Sequence, residues 1–135
     1  MRFAPSPDEQ TLLADLSPQQ RFDYAIPRIC ECEEVWGLGD DNGWLIRDVD
    51  DKAVISIWPY RQMAVECALG DLSDCEPICV SLEHFLHTLL KQCQANDIIV
   101  EVCPAPGKAG YTIPAAQLHE VLESIVETDS YFIEG

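Results

Sequence analysis

Between Val35 and Trp58 three short apolar runs follow one another with little but turn chemistry between them. Val35-Trp36-Gly37-Leu38 and Trp44-Leu45-Ile46 flank Gly39-Asp40-Asp41-Asn42-Gly43, and Asp48-Val49-Asp50-Asp51 precedes Ala53-Val54-Ile55-Ser56-Ile57-Trp58. Asn42-Gly43 offers the positive φ that a tight hairpin needs. Pro59 lacks the N–H that would let the last run continue as an inner strand. Three strands joined by turns this short predict an antiparallel meander, with Trp36 and Trp44 as a facing cross-strand pair.

Such a sheet needs a covering layer, and the flanking sequence supplies helices. Ser17-Pro18-Gln19-Gln20 reads as a capping box with Pro at the first helical position. Phe22, Ala25, Ile26 and Ile29 then recur at helical spacing. Pro27 crowds the carbonyl of Asp23, predicting a kink there or an end with a short continuation to Cys32. Arg61–Leu69 predicts a short helix closed by Gly70, and Asp71–Pro77 a loop. After a brief extended Ile78-Cys79-Val80, Ser81 caps a helix whose apolar face is Leu82, Phe85, Leu86, Leu89, Leu90 and Cys93. Ile98–Cys103 predicts another strand, and Pro114 opens a last helix with Leu118, Val121, Leu122, Ile125 and Val126 inward. The expected architecture is a two-layer α+β domain: a mostly antiparallel, tryptophan-rich sheet covered by three to four helices. A chain of 135 residues fits one such domain, with residues 1–16 as a loose Pro-rich arm.

Charge narrows the partners. The chain carries 24 acidic and 8 basic side chains, a formal charge of −16. Its Lys and Arg are scattered, so neither a phosphate backbone nor an anionic membrane is an expected partner. A basic protein is, because an acidic surface speeds that encounter. MRFAPSPDEQ has no apolar signal stretch, and the sequence has no run long enough to span a bilayer. With seven cysteines and no export signal, a cytoplasmic protein with reduced thiols is expected.

The tryptophan-and-turn pattern also resembles a known bacterial family, that of domain of unknown function 2750. The resemblance runs through Val35-Trp36-Gly37-Leu38, Asp41-Asn42-Gly43-Trp44, Ile57-Trp58-Pro59, Ala64, Cys67-Ala68-Leu69-Gly70, the Leu-rich stretch from Ile78 to Leu90, and Pro114-Ala115-Ala116-Gln117-Leu118. It spans roughly Ser17 to Glu127, and Gly70–Asp74 departs from its aromatic-bearing form. It implies a small acidic domain without an assigned reaction, cofactor or catalytic residue, so it carries no active site onto this chain.

Candidate sites follow from the residues themselves. Trp36, Trp44, Trp58 and Tyr60, beside the acid-rich turns of Asp40, Asp41, Asp50 and Asp51, predict anchors and steering charges for a basic partner. Asp40-Asp41 and Asp48–Asp51 would meet if both turns lay at neighbouring sheet ends, but they lack the alternation of a calcium loop. Cys75, Cys79, His84 and His87 offer four zinc-type ligands, although Cys-x3-Cys with helical histidines is not a knuckle. Cys30-x-Cys32 sits among Glu31, Glu33 and Glu34, which opposes thiolate formation. There is no nucleophile elbow, and Ala105–Gly110 lacks the spacing of a phosphate loop. The leading expectation is a non-enzymatic interaction module without a cofactor. A metal or thiol enzyme using Cys75–His87 is one alternative, and a homodimer formed by pairing a free strand edge is another.

Overall fold

The computed structural model describes residues 16–40, 43–68, 74–105 and 108–134, with side chains as far as Ile125. The predicted arm, Leu16 apart, lies outside the described residues, as do Asp41 and Asn42.

Helix α1 spans Pro18–Cys32, and both halves of its capping box form. The Ser17 hydroxyl accepts from the Gln20 N–H at 3.2 Å, and the Gln20 carboxamide oxygen accepts from the Ser17 N–H at 2.9 Å. The helix runs through Pro27, which faces solvent, and stops only at Glu33, whose left-handed backbone turns the chain. Ala25, Ile26 and Ile29 form its buried stripe.

Strands β1 (Glu34–Asp40), β2 (Gly43–Trp44), β3 (Arg47–Val49) and β4 (Lys52–Ile57) follow. Helix α2 (Arg61–Glu66) leads to β5 (Glu76–Ser81), then to a helical stretch of α3 (Leu82–His84), a π-helical segment Phe85–Leu89 and α4 (Leu90–Ala95). Strands β6 (Ile99–Val102) and β7 (Tyr111–Pro114) precede the long helix α5 (Ala115–Glu134). The strand order is β2-β1-β5 in one sheet and β3-β4-β6-β7 in the other. The fold is the expected two-layer α+β domain, with one parallel pair, β4 with β6, among antiparallel ones.

The meander is bent rather than flat. Its middle run pairs first with β1, at Gly39↔Trp44 and Asp40↔Gly43, and then with β4, at Arg47↔Val54 and Val49↔Lys52. Trp36 is therefore not opposite Trp44, as the turn spacing predicted. It lies opposite Cys79 of β5, and its other edge bonds to Trp58. The Trp36 N–H donates to the Trp58 carbonyl at 3.0 Å and the Trp58 N–H returns a bond of 2.8 Å, stitching the two sheets together.

Three boundaries also move. The loop expected to run through Pro77 ends at Cys75, because β5 begins at Glu76 and pairs with β1 along its whole length. Helix α2 stops at Glu66, short of the predicted Leu69. Pro114 closes β7 in register with Ile99 instead of opening the helix, a place that proline tolerates because β7 is an edge strand. Between the layers, Ile55, Ile57, Val100, Val102 and Ile113 of the sheet meet Phe85, Leu86, Leu90, Leu118 and Leu122 of the helices, all buried.

Candidate functional site

Two short backbone motifs bring carboxylates to one place. The hairpin between β3 and β4 closes on Val49↔Lys52, and its two central residues both take left-handed backbone, Asp50 at φ 53° and Asp51 at φ 67°. This is the primed turn that matches strand twist, built with aspartates where Asn-Gly is the easy choice. At the end of α4 the Ile98 N–H returns to the Cys93 carbonyl at 2.8 Å, leaving Asp97 left-handed at φ 55°. That closure is a Schellman motif with an aspartate in the position glycine prefers.

Asp51 and Asp97, together with Asp48 of β3, stand around a cleft of about 650 Å³ between the sheet end and the helices. Its lining includes Cys93, Ile98, Ile99, Pro114, Ala115 and Ala116, of which Cys93 and Ala115 are buried, and Lys52 is the one cation among its described lining residues. The arrangement suits a ligand with an apolar stem and a positive head. Beside it, on the bent middle run, Ile46 is 53% and Val49 42% exposed.

The residues singled out from sequence divide sharply. Trp58 is 1% and Tyr60 6% exposed, so neither ring can touch a partner. Both are core, because the stitch to Trp36 turns Trp58 inward, where its indole N–H donates to the Pro104 carbonyl at 2.8 Å. Trp36 and Trp44 are half-buried and packed against the core. Asp40, Asp50 and Asp51 are exposed as expected, but Asp40 sits beside Gly43 and the other two beyond Val49, at opposite ends of the middle run. Asp41 lies outside the described residues.

The proposed zinc ligands do not assemble. Cys75 precedes β5, Cys79 lies on it opposite Trp36, and His84 and His87 are exposed on the helical stretch that follows. Among the described residues no group of three or more His, Cys, Asp or Glu side chains is placed to hold a metal ion. Six of the thiols, those of Cys32, Cys67, Cys75, Cys79, Cys93 and Cys103, are held protonated rather than activated. Burial pushes Cys67, Cys79 and Cys93 up to about 11 and Cys103 up to about 12, with Glu66 adding to the effect at Cys67 and Glu34 at Cys79. Nucleophilic chemistry needs the thiolate, which these surroundings disfavour.

Sequence reading missed Glu101. It is 8% exposed in the middle of β6, and its carboxylate accepts from Arg47, from the Ser56 hydroxyl at 3.1 Å and from the Gly110 N–H at 2.9 Å. The available signal was a lone carboxylate inside the apolar run Ile98–Cys103. Asp48 reads in the sequence as a turn residue but lies in β3, and Asp97 takes the left-handed backbone that ends α4. This network ties β3, β4, β6 and the loop before β7 together, which fixes the strand that carries Asp48.

The site and fold define a small acidic α+β domain with an acid-rimmed cleft at one end of its second sheet. Residues 22–122, well over half of the chain, match the family described as protein of unknown function (DUF2750), and the chain belongs to it. Comparison with curated proteins and with solved structures gives no match. Among the described residues no helix is long and apolar enough to cross a membrane.

Proposed function

We propose that this domain is a non-enzymatic, cytoplasmic interaction module that takes up a basic segment of another protein. The observation that carries this reading is the cleft, whose lining brings apolar Cys93, Ile98, Ile99 and Ala115 together with Asp48, Asp51 and Asp97. A lysine or arginine stem can lie on apolar surface while its head stays among carboxylates and water. The surrounding net charge of −16 accelerates encounter with such a partner and repels nucleic acid. Exposed carboxylates contribute modestly one by one, so the apolar lining must supply much of the affinity.

The test is titration of a lysine-rich peptide into the native chain and into an Asp48→Asn/Asp51→Asn/Asp97→Asn variant. The expected result is binding that weakens as salt rises, and weakens further, by at least about tenfold, in the variant. Equal binding by both proteins sinks the assignment of the cleft.

A further inference from the structure

The basic segment has a second requirement, set by backbone rather than charge. Along the bent middle run, the Leu45 N–H donates to the Leu38 carbonyl at 2.8 Å, and Gly43 lies opposite Asp40. Arg47 and Val49 lie opposite Val54 and Lys52 of β4. Bonded pairs alternate along antiparallel strands, so residues 43, 45, 47 and 49 all turn their backbone groups toward β1 and β4. The N–H and C=O groups of Trp44, Ile46 and Asp48 consequently point the other way. Both β2 and β3 are terminal in their sheets, so among the described residues no strand pairs with this outer edge.

An open edge invites pairing, and proteins commonly guard one with charge. Here the guard is mainly acidic, because Arg47 of the same strand is held by Glu101 and Lys52 stands on β4. Asp48 lies in the edge strand, and Asp50 and Asp51 lie just beyond it, all exposed. A second copy pairing antiparallel about Asp48 would set that carboxylate against its own equivalent, which is destabilising. An extended segment bearing lysine or arginine meets no such penalty, and Ile46 and Val49 offer it apolar contact.

We infer that the partner binds as an added β-strand along residues 44–48, with alternating basic and apolar side chains, rather than as a helix or a second copy of this chain. The inference rests on the proposed uptake of a basic segment and specifies its conformation. Asp48 belongs both to the edge and to the cleft lining, so a basic side chain of the added strand is delivered to the cleft. Main-chain bonds then add to the affinity of the apolar contacts, and the aspartates provide selection.

The test uses a short synthetic peptide alternating lysine with valine, and two versions N-methylated on one or the other alternate set of amides. Methylation removes the N–H groups that would face the edge in one version and leaves them intact in the other, with charge unchanged and the protein untouched. One methylated peptide should lose more than about tenfold in affinity while the other stays within about twofold. Asp48→Pro, at a position where no ladder bond is lost, should weaken the parent peptide similarly; a circular-dichroism melt checks its fold. If both methylated peptides bind like the parent, strand addition is wrong while uptake of a basic segment stands. If no lysine peptide binds even at low salt, the underlying reading fails as well. Concentration-dependent dimerisation in sedimentation that is abolished by Asp48→Pro would assign the edge to a second copy and overturn the proposal.

Discussion

Trp44 fills the space that a side chain at position 37 would need: a Cβ on Gly37 would stand 2.3 Å from Cζ3 of the indole. The same ring lies 6.2 Å from Phe85, so it cannot retreat freely. Gly37→Ala is therefore expected to destabilise the chain by about 1–3 kcal/mol through overpacking. Trp44→Leu in the same chain should recover part of that loss, a coupling that a double-mutant cycle of urea unfolding measures directly. Additive effects would show that the two residues do not compete for this space.

The aspartate turn makes the opposite kind of prediction. Asp50 and Asp51 hold left-handed backbone beside one another, where glycine is free of the Cβ penalty and like charges are adjacent. Asp51→Gly should raise stability by about 1 kcal/mol, or roughly 3–5 °C in Tm for a domain of this size. Affinity for a lysine peptide should fall by up to about fivefold, because one carboxylate leaves the cleft lining. A variant that gains stability and loses binding separates a binding role for this carboxylate from a structural one.

Glu101 should behave as the hub of its network. Glu101→Ala leaves Arg47, the Ser56 hydroxyl and the buried Gly110 N–H without their shared acceptor, at an expected cost of about 3 kcal/mol. Arg47→Ala should cost less, since its side chain is 33% exposed and Glu101 keeps two other donors. Replacing both by methionine should cost less than Glu101→Ala alone, because two apolar side chains refill the space and no guanidinium is left without its carboxylate. Chemical denaturation of the three variants ranks them.

Local chemistry was legible in the sequence wherever one stretch of chain decides the outcome. Ser17 and Gln20 complete their capping box within a single turn, and Ser81 accepts from the His84 N–H as its N-cap pattern predicts. The positive φ expected of Asn42-Gly43 is found at Gly43, at 118°. Features decided between distant segments were not legible. Nothing near Trp58 in the sequence says that its backbone will bond to Trp36, yet that stitch buries one expected anchor and bends the meander. The cleft likewise joins Asp48, Asp97 and Ala115, which only folding brings together. The helical stretch from Leu82 to Ala95 illustrates a third case. The Leu90 N–H bonds back to Phe85, the π-helical register, within an apolar pattern that reads as ordinary helix.

The thiols set a limit on alkaline stability. Burial holds the proton on Cys67 and Cys93 to about 11 and on Cys103 to about 12, against an ordinary value of 9.0. Between these values the folded chain binds more protons than the unfolded one, so stability must fall as pH rises. The contribution is complete below about pH 9 and is lost progressively as pH climbs through about 11 to 12. Cys93 isolates the effect, because burial of its side chain on the inner face of α4 is the sole cause of its shift and its helical backbone tolerates alanine. Urea midpoints measured from pH 8 to pH 11 should decline more steeply for the native chain than for Cys93→Ala, even though the variant starts lower from the cavity it opens. Parallel curves would mean that the Cys93 thiol is no harder to ionise in the fold than in the open chain.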